Sequence, residues 1–347
     1  MPYLFSTKKR QIIGKVILVS ISTLLAVVIY LFYTNFINRD IHDKGPISKK
    51  FWQNIYYKEN HSFPGHGFLL NPGKTLSYMG NLQLRWPTVV SINKDGYRDI
   101  EYSQNKAPGV YRILLLGDSI VFGLGVNLED TFAKVLEKRL NQTGNRYEVL
   151  NGGLPDSSPY FQLHFFKNTF SGYNPDMIIW FFCGDDYRCF TINTAPRMAA
   201  SSYLREHAGG LFQKWEELNL NFKNNDDEIA VQLLDFREGN HVQHIPELLN
   251  VCIKQPVLEL KRIIEPGNTR LLFVILEDHP MLIWQISEFI RNLGFPVANN
   301  FDYIEIMRNH CFSPKYDNHL TVKGNLLFGN WLFSYLKKNQ LLERQPK

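Results

Sequence analysis

From Val110 onward, short apolar runs alternate with longer stretches in which apolar residues recur at helical spacing. Short runs with little or no charge are typical of strands that are buried on both faces. In chain order they are Ile113–Leu116, Tyr147–Leu150, Met177–Phe182, Leu271–Leu276 and a weaker run near Phe295–Val297. The predicted helices are Glu129–Leu140, Tyr160–Phe170, Ile245–Ile264, Met281–Leu293 and Thr321–Lys338. This alternation predicts an α/β domain with a parallel sheet covered on both faces by right-handed crossovers.

The spacing of apolar residues also predicts which side of a helix is buried. In the first helix, Leu136 and Leu140 lie on one face. The apolar side of the last helix is predicted to consist of Leu326, Leu327, Trp331, Leu332 and Tyr335.

Two segments of different composition precede or interrupt this domain, which is placed at 109–342. Residues 37–108 contain short strand-like pieces, among them Thr88–Ile92, separated by Pro-Gly and Asp-Gly turns. This pattern predicts a small β-rich appendage. Residues 187–244 follow the third predicted strand and are polar, with only short helical pieces. This insertion is either a lid or specificity element at the rim of the site or a tolerated surface excursion.

The segment Val16–Phe32 carries no charged residue. With its apolar flanks it reaches about 20–24 residues, which is enough to cross a bilayer. Basic residues precede it and no clear small-residue cleavage site follows, so we predict an uncleaved signal anchor over residues 1–36. A very short basic tail normally stays in the cytoplasm. We therefore expect a single-pass membrane protein with a cytoplasmic N-terminus and an extracytoplasmic (periplasmic) main domain.

Composition narrows the possible partners. The 347-residue chain has 44% hydrophobic and 20% charged residues, which is typical of a globular protein. Its net charge of +5 is modest, and no dense Lys/Arg stripe is interleaved with aromatic residues, so nucleic acid is not an expected partner. The cysteines form no Cys-x-x-Cys pair of the kind that binds zinc. Asp118, Asp185 and Asp186 are possible ligands of a divalent metal, but no histidine or further acid lies at a spacing that would complete such a site. We therefore predict no metal and no other cofactor, and we assign no oligomeric state.

Candidate chemistry is concentrated where predicted strands end. The first strand stops at Gly117-Asp118-Ser119, and ligands of doubly wound proteins bind at this carboxyl edge of the sheet. A hydroxyl held there is placed for nucleophilic catalysis, whereas the alternative is a tight turn in which Ser119 only caps a helix. The second strand continues into Asn151–Pro155, whose glycines let backbone N–H groups approach an oxyanion closely. The third strand continues into Cys183–Asp186.

A possible base and an acid to orient it lie together on a predicted loop, Asp317–Leu320, that enters the last helix. His319 is the type of side chain that takes a proton from a nucleophile, and Asp317 is the type that holds an imidazole in place. The segment after the fourth strand offers Asp278 and His279 as an alternative pair. We favour His319, because it lies at the start of the terminal helix, and assign His279 and Asp186 to substrate binding.

The chain from about Val110 to Leu336 resembles the SGNH/GDSL hydrolases. Gly117-Asp-Ser-Ile120 is similar to the first motif of that family, with Ile in place of the usual Leu. Asn151-Gly-Gly-Leu-Pro155 is similar to the second motif. Asp317-Asn-His-Leu320, followed by Gly324, is similar to the last, with the Asp-x-His spacing of some branches.

This resemblance implies a flavodoxin-like, doubly wound parallel sheet and chemistry on acyl esters. It implies that Ser119 is the nucleophile, His319 the base and Asp317 the acid that orients the base. The backbone N–H groups of Ser119 and Gly153 would stabilise the oxyanion. The segment Ser91–Arg98 is similar to the one that precedes the first motif in membrane-anchored, envelope-associated members.

Asp185 departs from the family pattern, in which an Asn of the third motif donates an N–H to the oxyanion. An ionised carboxylate only accepts hydrogen bonds, and losing one such donor typically costs about 10²–10³ in rate. Burial beside Phe181 and Phe182 would restore a donor by raising the pKa of the Asp185 carboxyl; otherwise the Ser119 and Gly153 N–H groups act alone.

The expected function is that of a membrane-anchored serine esterase or O-acyltransferase acting on acylated envelope glycans or lipids. The alternative is a catalytically impaired binding or assembly module of an envelope polysaccharide system.

Overall fold

The structure is a computed structural model, and it describes residues 70–78, 88–155, 157–183, 249–276, 280–298, 302–313 and 317–342. The apolar segment Val16–Phe32, the insertion 187–244 and the predicted site residues Asp185, Asp186 and His279 lie outside these ranges. Within the ranges, no helix has both the length and the apolar character needed to cross a bilayer. The signal anchor and the membrane topology stay predictions.

The described strands form one central parallel sheet and two small antiparallel pairs. The first pair consists of β1 (Thr75–Tyr78) and β2 (Thr88–Ser91). The central sheet contains β3 (Val110–Gly117), β4 (Arg146–Gly153), β5 (Met177–Cys183), β6 (Arg270–Leu276) and β7 (Val297–Ala298). Its strands are parallel and lie in the order β4-β3-β5-β6-β7, which is the order of flavodoxin-like sheets. The predicted α/β fold class with a parallel sheet is confirmed.

Helices connect and follow these strands. They are α1 (Ser119–Phe122), α2 (Phe132–Asn141), α3 (Pro159–Phe165), α4 (Gln255–Ile264), α5 (Pro280–Asn292), α6 (Asp302–Asn309) and α7 (Val322–Lys338). Single π turns adjoin α3 and α4, at Phe166–Phe170 and Asn250–Lys254. Short 3-10 turns occupy Leu128–Asp130 and Ser171–Tyr173. The second antiparallel pair, β8 (Cys311–Ser313) and β9 (Asp317–Leu320), comes immediately before α7.

Apolar side chains of the central strands are buried under helices. On one face, α2, α6 and α7 pack against the sheet in a continuous cluster. Its members include Ile113, Leu115, Val149, Ile179, Phe181, Leu136, Leu140, Tyr303, Phe328, Leu332 and Leu336. On the other face, the fully buried Trp180 of β5 donates to Oε1 of Gln162 in α3 at 2.7 Å. Because successive strand side chains point to opposite faces, the same strands serve both layers.

Part of the segment between β2 and β3 is buried against the sheet domain. Tyr97, Arg98 and Asp99 are all buried. Asp99 pairs with Lys134 of α2 at 2.8 Å and accepts the N–H of Asn151 in β4 at 2.9 Å. All described residues fall in one compact unit, so the described part of the predicted appendage belongs to the same unit as the sheet.

Two elements next to the candidate site differ from the sequence prediction. Helix α1 is a single turn, which is too short to produce the apolar periodicity on which helix prediction depends. Asp317–Leu320 is predicted as a loop, whereas it is a strand that pairs with Cys311–Ser313. The sequence does not predict this strand, because its residues are mostly polar and show no apolar alternation.

Candidate active site

Ser119 lies in a sharp turn at the carboxyl end of β3. It is the first residue of α1, and the last residues of β3 and β4, Gly117 and Gly153, are partners in the parallel register. Gly117 is required by close packing, because a Cβ there would lie 2.4 Å from the side chain of Val121. The half-buried Ser119 side chain therefore lies at the edge of the sheet where ligands bind in parallel α/β folds.

Both ends of α1 are capped. At its start, the Asp118 carboxylate accepts the N–H of Ile120 at 2.9 Å. At its end, Gly123 adopts a left-handed φ of 79° and donates its N–H to the carbonyls of Ser119 and Ile120. The first N–H groups of a helix have no intrahelical partner, and the N–H of Ser119 donates to none of the described residues.

His319 reaches the same edge of the sheet from the other end of the chain. It lies in β9, two residues before Thr321 caps the start of α7. Its Nε2 is 2.7 Å from Oγ of Ser119. This is the separation of an O–H···N hydrogen bond, in which the serine hydroxyl donates when the imidazole proton is on Nδ1. Nucleophilic catalysis by a serine requires this arrangement of a hydroxyl in contact with an unprotonated imidazole nitrogen.

A buried amide connects the His319 strand to the layer that contains α2. Asn325 of α7 is 1% exposed, and its Oδ1 accepts the N–H of Phe132, the first residue of α2, at 2.9 Å. Its Nδ2 donates to the carbonyls of Leu320 at 3.0 Å and Thr321 at 3.1 Å. Because Leu320 directly follows His319, these bonds fix the imidazole-bearing strand relative to the helix that follows the Ser119 turn.

Gly153 lies beside the turn that begins with Ser119, with its N–H already engaged. That N–H donates to Oδ1 of Asn151 at 3.0 Å. A Cβ on Gly153 would lie 2.1 Å from the backbone N of Phe122 and 2.6 Å from the backbone C of Val121. The structure thus explains the glycine by contact between the backbones of β4 and α1. Donation of its N–H to an oxyanion would require that group to leave Asn151, and this role stays a prediction.

For the remaining predicted site residues, the structure describes only the backbone of Asp317. Asp317 begins β9 and pairs in register with Ser313, while its side chain is not among those described. Asp185, Asp186 and His279 lie outside the described residues. Among the residues that the structure describes, no three His, Cys, Asp or Glu side chains are grouped so that they could hold a metal ion.

Two polar residues behind the site are missed by the sequence prediction. Asn325 could have been found, because it lies three residues before Phe328 on the buried stripe of α7, where a polar residue is unexpected. Arg98 is fully buried, and its position after an Asn-Lys-Asp-Gly turn gives no periodic signal.

Fold and contacts together define a parallel α/β protein with a Ser–His pair at the carboxyl edge of its sheet.

No protein-family profile and no curated protein sequence matches the chain. Similar solved structures are lipolytic hydrolases and esterases. A lipolytic protein of the G-D-S-L family from Desulfitobacterium hafniense is 13% identical, with 64% of this chain and 98% of that chain covered and a TM-score of 0.36.

Two further solved structures have the same level of similarity. The lipase/acylhydrolase from Enterococcus faecalis is 13% identical, with 68% of this chain and 100% of that chain covered and a TM-score of 0.37. The family 3 carbohydrate esterase from Clostridium thermocellum is 15% identical, with 66% of this chain and 96% of that chain covered and a TM-score of 0.38. Identities and TM-scores at this level do not identify an activity.

Proposed function

We propose that this protein is a serine esterase, a hydrolase of acyl esters that works through a covalent acyl-enzyme. The proposal depends on one observation, the 2.7 Å contact between Oγ of Ser119 and Nε2 of His319. Such a contact supports nucleophilic catalysis, because the imidazole removes the proton that makes a serine hydroxyl a weak nucleophile. A purely structural pair would be expected in the core, whereas both side chains are only half-buried.

In the proposed reaction, Oγ of Ser119 attacks the acyl carbon while Nε2 of His319 accepts the hydroxyl proton. The carbonyl electron pair moves to oxygen and returns when the tetrahedral intermediate collapses. The ester C–O bond then breaks, and His319 gives its proton to the departing alcohol oxygen. Water, deprotonated by His319, then attacks the acyl carbon of the ester on Ser119. The bond between that carbon and Oγ breaks, His319 returns its proton to Oγ, and a carboxylic acid is released. Asp317 is proposed to hold the imidazole with its proton on Nδ1 and to stabilise the imidazolium.

The oxyanion of the intermediate needs hydrogen-bond donors. The N–H of Ser119 is the donor we favour, because it donates to none of the described residues. Gly153 and Asp185 are proposed as further donors. The Gly153 N–H would exchange Oδ1 of Asn151 for the oxyanion, and Asp185 would donate only with its carboxyl protonated. Each missing donor is expected to lower the rate by about 10²–10³.

We further propose that the acyl groups are carried by envelope glycans or lipids outside the cytoplasm. This rests on the apolar segment Val16–Phe32, which would hold the domain at a membrane surface, and on the resemblance to the SGNH/GDSL hydrolases. Asp186 and His279 are proposed substrate contacts. A sugar hydroxyl that replaces water as acceptor would make the protein an O-acyltransferase, since hydrolysis and transfer share the acyl-enzyme.

A second candidate function, a non-catalytic binding or assembly module, is favoured by Asp185 alone. Turnover of p-nitrophenyl acetate by the detergent-solubilised full chain separates the two. An esterase is expected to show saturable turnover that Ser119→Ala and His319→Ala each lower by about 10³ or more, at unchanged thermal midpoint. A gain in rate for Asp185→Asn would show that this carboxylate limits oxyanion binding. Wild-type turnover equal to that of Ser119→Ala would reject the esterase and favour the binding module.

A further inference from the structure

A buried arginine binds the carboxyl end of the one-turn helix that begins with Ser119. The Arg98 side chain is 0% exposed. Its Nη1 donates to the carbonyls of Phe122 at 2.9 Å and Gly123 at 2.7 Å, and its Nη2 donates to the carbonyl of Val126 at 2.6 Å. The guanidinium carbon also lies 5.0 Å from the centre of the Phe122 ring. One side chain thus binds the last carbonyl of α1 and two carbonyls of the turn that follows.

A helix of one turn depends on such partners. The last carbonyls of a helix have no intrahelical donor, and α1 is too short to be held by its own hydrogen bonds. The carbonyl of Ser119 accepts the N–H groups of Gly123 and Leu124, both at 3.1 Å. The turn that Arg98 binds is therefore bonded directly to the backbone of Ser119.

Arg98 is held in place by elements other than α1. Oδ1 of Asn93 accepts the N–H groups of Asp95 and Tyr97, both at 3.1 Å, which fixes the turn before Arg98. The residue after it, Asp99, bonds to α2 through Lys134 and to β4 as described above. Through Arg98, the turn that begins with Ser119 is bonded to a segment that is itself fixed to the sheet and α2.

We infer that Arg98 is a positioning residue for Ser119, which keeps Oγ within hydrogen-bond distance of His319. This inference rests on the proposed function, since it concerns the alignment of the same two groups. Arg98 acts through the backbone of residues 122–126 rather than by touching a substrate. Charge-assisted hydrogen bonds from a planar guanidinium suit this role, because they are stronger than neutral ones and their directions are fixed.

Arg112 offers a matched control at the other end of β3. It is also 0% exposed, and it donates to the carbonyls of Ser103 at 2.8 Å and Tyr173 at 2.6 Å. It pairs with Glu148 at 2.6 Å. Because Arg112 lies near the amino end of β3, its loss should destabilise the fold without moving the turn at the carboxyl end.

The test compares Arg98→Lys with Arg112→Lys in the full-length protein, since lysine keeps the charge and loses the planar fork. The measurements are kcat and KM for p-nitrophenyl acetate, the thermal midpoint, and the His319 imidazole resonances in histidine-labelled protein. Both substitutions are expected to lower the thermal midpoint. Only Arg98→Lys is expected to lower kcat, by about 10²-fold at unchanged KM, and to shift the His319 resonances.

An unchanged kcat in Arg98→Lys, or an equal loss in both variants, would overturn the inference. If Arg98→Lys and Arg98→Gln both fail to fold while Arg112→Lys folds, Arg98 holds the fold itself and the inference is equally overturned. If the wild type has no turnover, the proposed function fails. The His319 imidazole resonances still show whether Arg98 positions Ser119 against His319. A shift confined to Arg98→Lys supports positioning, and no shift rejects it.

Discussion

Gly153→Ala tests how closely the Ser119 turn is packed against β4. Alanine keeps the backbone N–H, so it would preserve a role limited to hydrogen-bond donation. Its Cβ would lie 2.1 Å from the backbone N of Phe122, whereas ordinary van der Waals contact begins at 3.4 Å. The backbone of α1 must therefore retreat by about 1.3 Å, because neither backbone can rotate out of the way.

This retreat is large compared with the contact that it disturbs. Ser119 is the first residue of the displaced helix, and its Oγ lies only 2.7 Å from Nε2 of His319. A shift of this size would take the pair to about 4 Å, beyond hydrogen-bond distance. Misplacement of a reacting group by about 1 Å costs about 10²-fold in rate, and overpacking costs about 1–3 kcal/mol of stability. We expect both losses in Gly153→Ala.

The assay is kcat for an aryl acetate, measured with the urea unfolding curve of each variant. Gly267→Ala is the control, because a Cβ there would meet its nearest atom, the carbonyl oxygen of Ile264, at an ordinary 3.6 Å. The control should keep both activity and stability. A folded Gly153→Ala variant with wild-type kcat would refute the argument that backbone contact between β4 and α1 sets the position of Ser119.

Three further predictions concern groups around the site. Asn325→Leu leaves buried N–H and carbonyl groups without partners at about 1–3 kcal/mol each, so urea unfolding should show a loss of at least this size and kcat should fall with it. Lys134→Met leaves the buried carboxylate of Asp99 without its counter-charge, so the free energy of unfolding in urea should fall by about 3–5 kcal/mol. The control, Lys167→Met, removes an exposed ion pair and should lower it by no more than about 1 kcal/mol. Burial raises the pKa of Tyr173 to about 12 from its ordinary 10.0, so the folded state keeps a proton that the unfolded state releases, and stability should fall as the pH rises from 10 towards 12. Replacing Tyr173 by Phe should flatten that fall, and an unchanged alkaline slope would contradict the assignment.

The strands of the central sheet were predictable because they are buried on both faces. The apolar run Ile113–Leu116 lies within β3, and the run Met177–Phe182 covers all of β5 except Cys183. Strands β3 and β4 are longer than their runs, since Arg112 in β3 and the terminal glycines of both strands belong to the sheet without being apolar. The expectation that strand ends bring Ser119 and His319 to one edge agrees with their 2.7 Å separation, while their catalytic roles stay proposals.

Features that depend on tertiary contacts were not predictable. In α7 the buried stripe runs through Phe328, Leu332 and Leu336, whereas Leu326, predicted on the apolar side, is 49% exposed. Leu326 lies about 200° around the helix from Phe328, so burying one exposes the other. Composition cannot choose between such stripes, because the choice depends on how the helix crosses the sheet. The burial of Arg98 likewise depends on carbonyl groups that only the folded chain brings together.

The proposed esterase activity requires Oγ of Ser119 to be a nucleophile that His319 activates. Exposing the full-length protein to a fluorophosphonate and mapping the adduct by peptide mass spectrometry tests this requirement. We expect one phosphonyl adduct, on Ser119, that is absent from Ser119→Ala and forms far more slowly in His319→Ala. A folded wild-type protein that stays unlabelled between pH 5 and 9, or that is labelled at another residue, would contradict it.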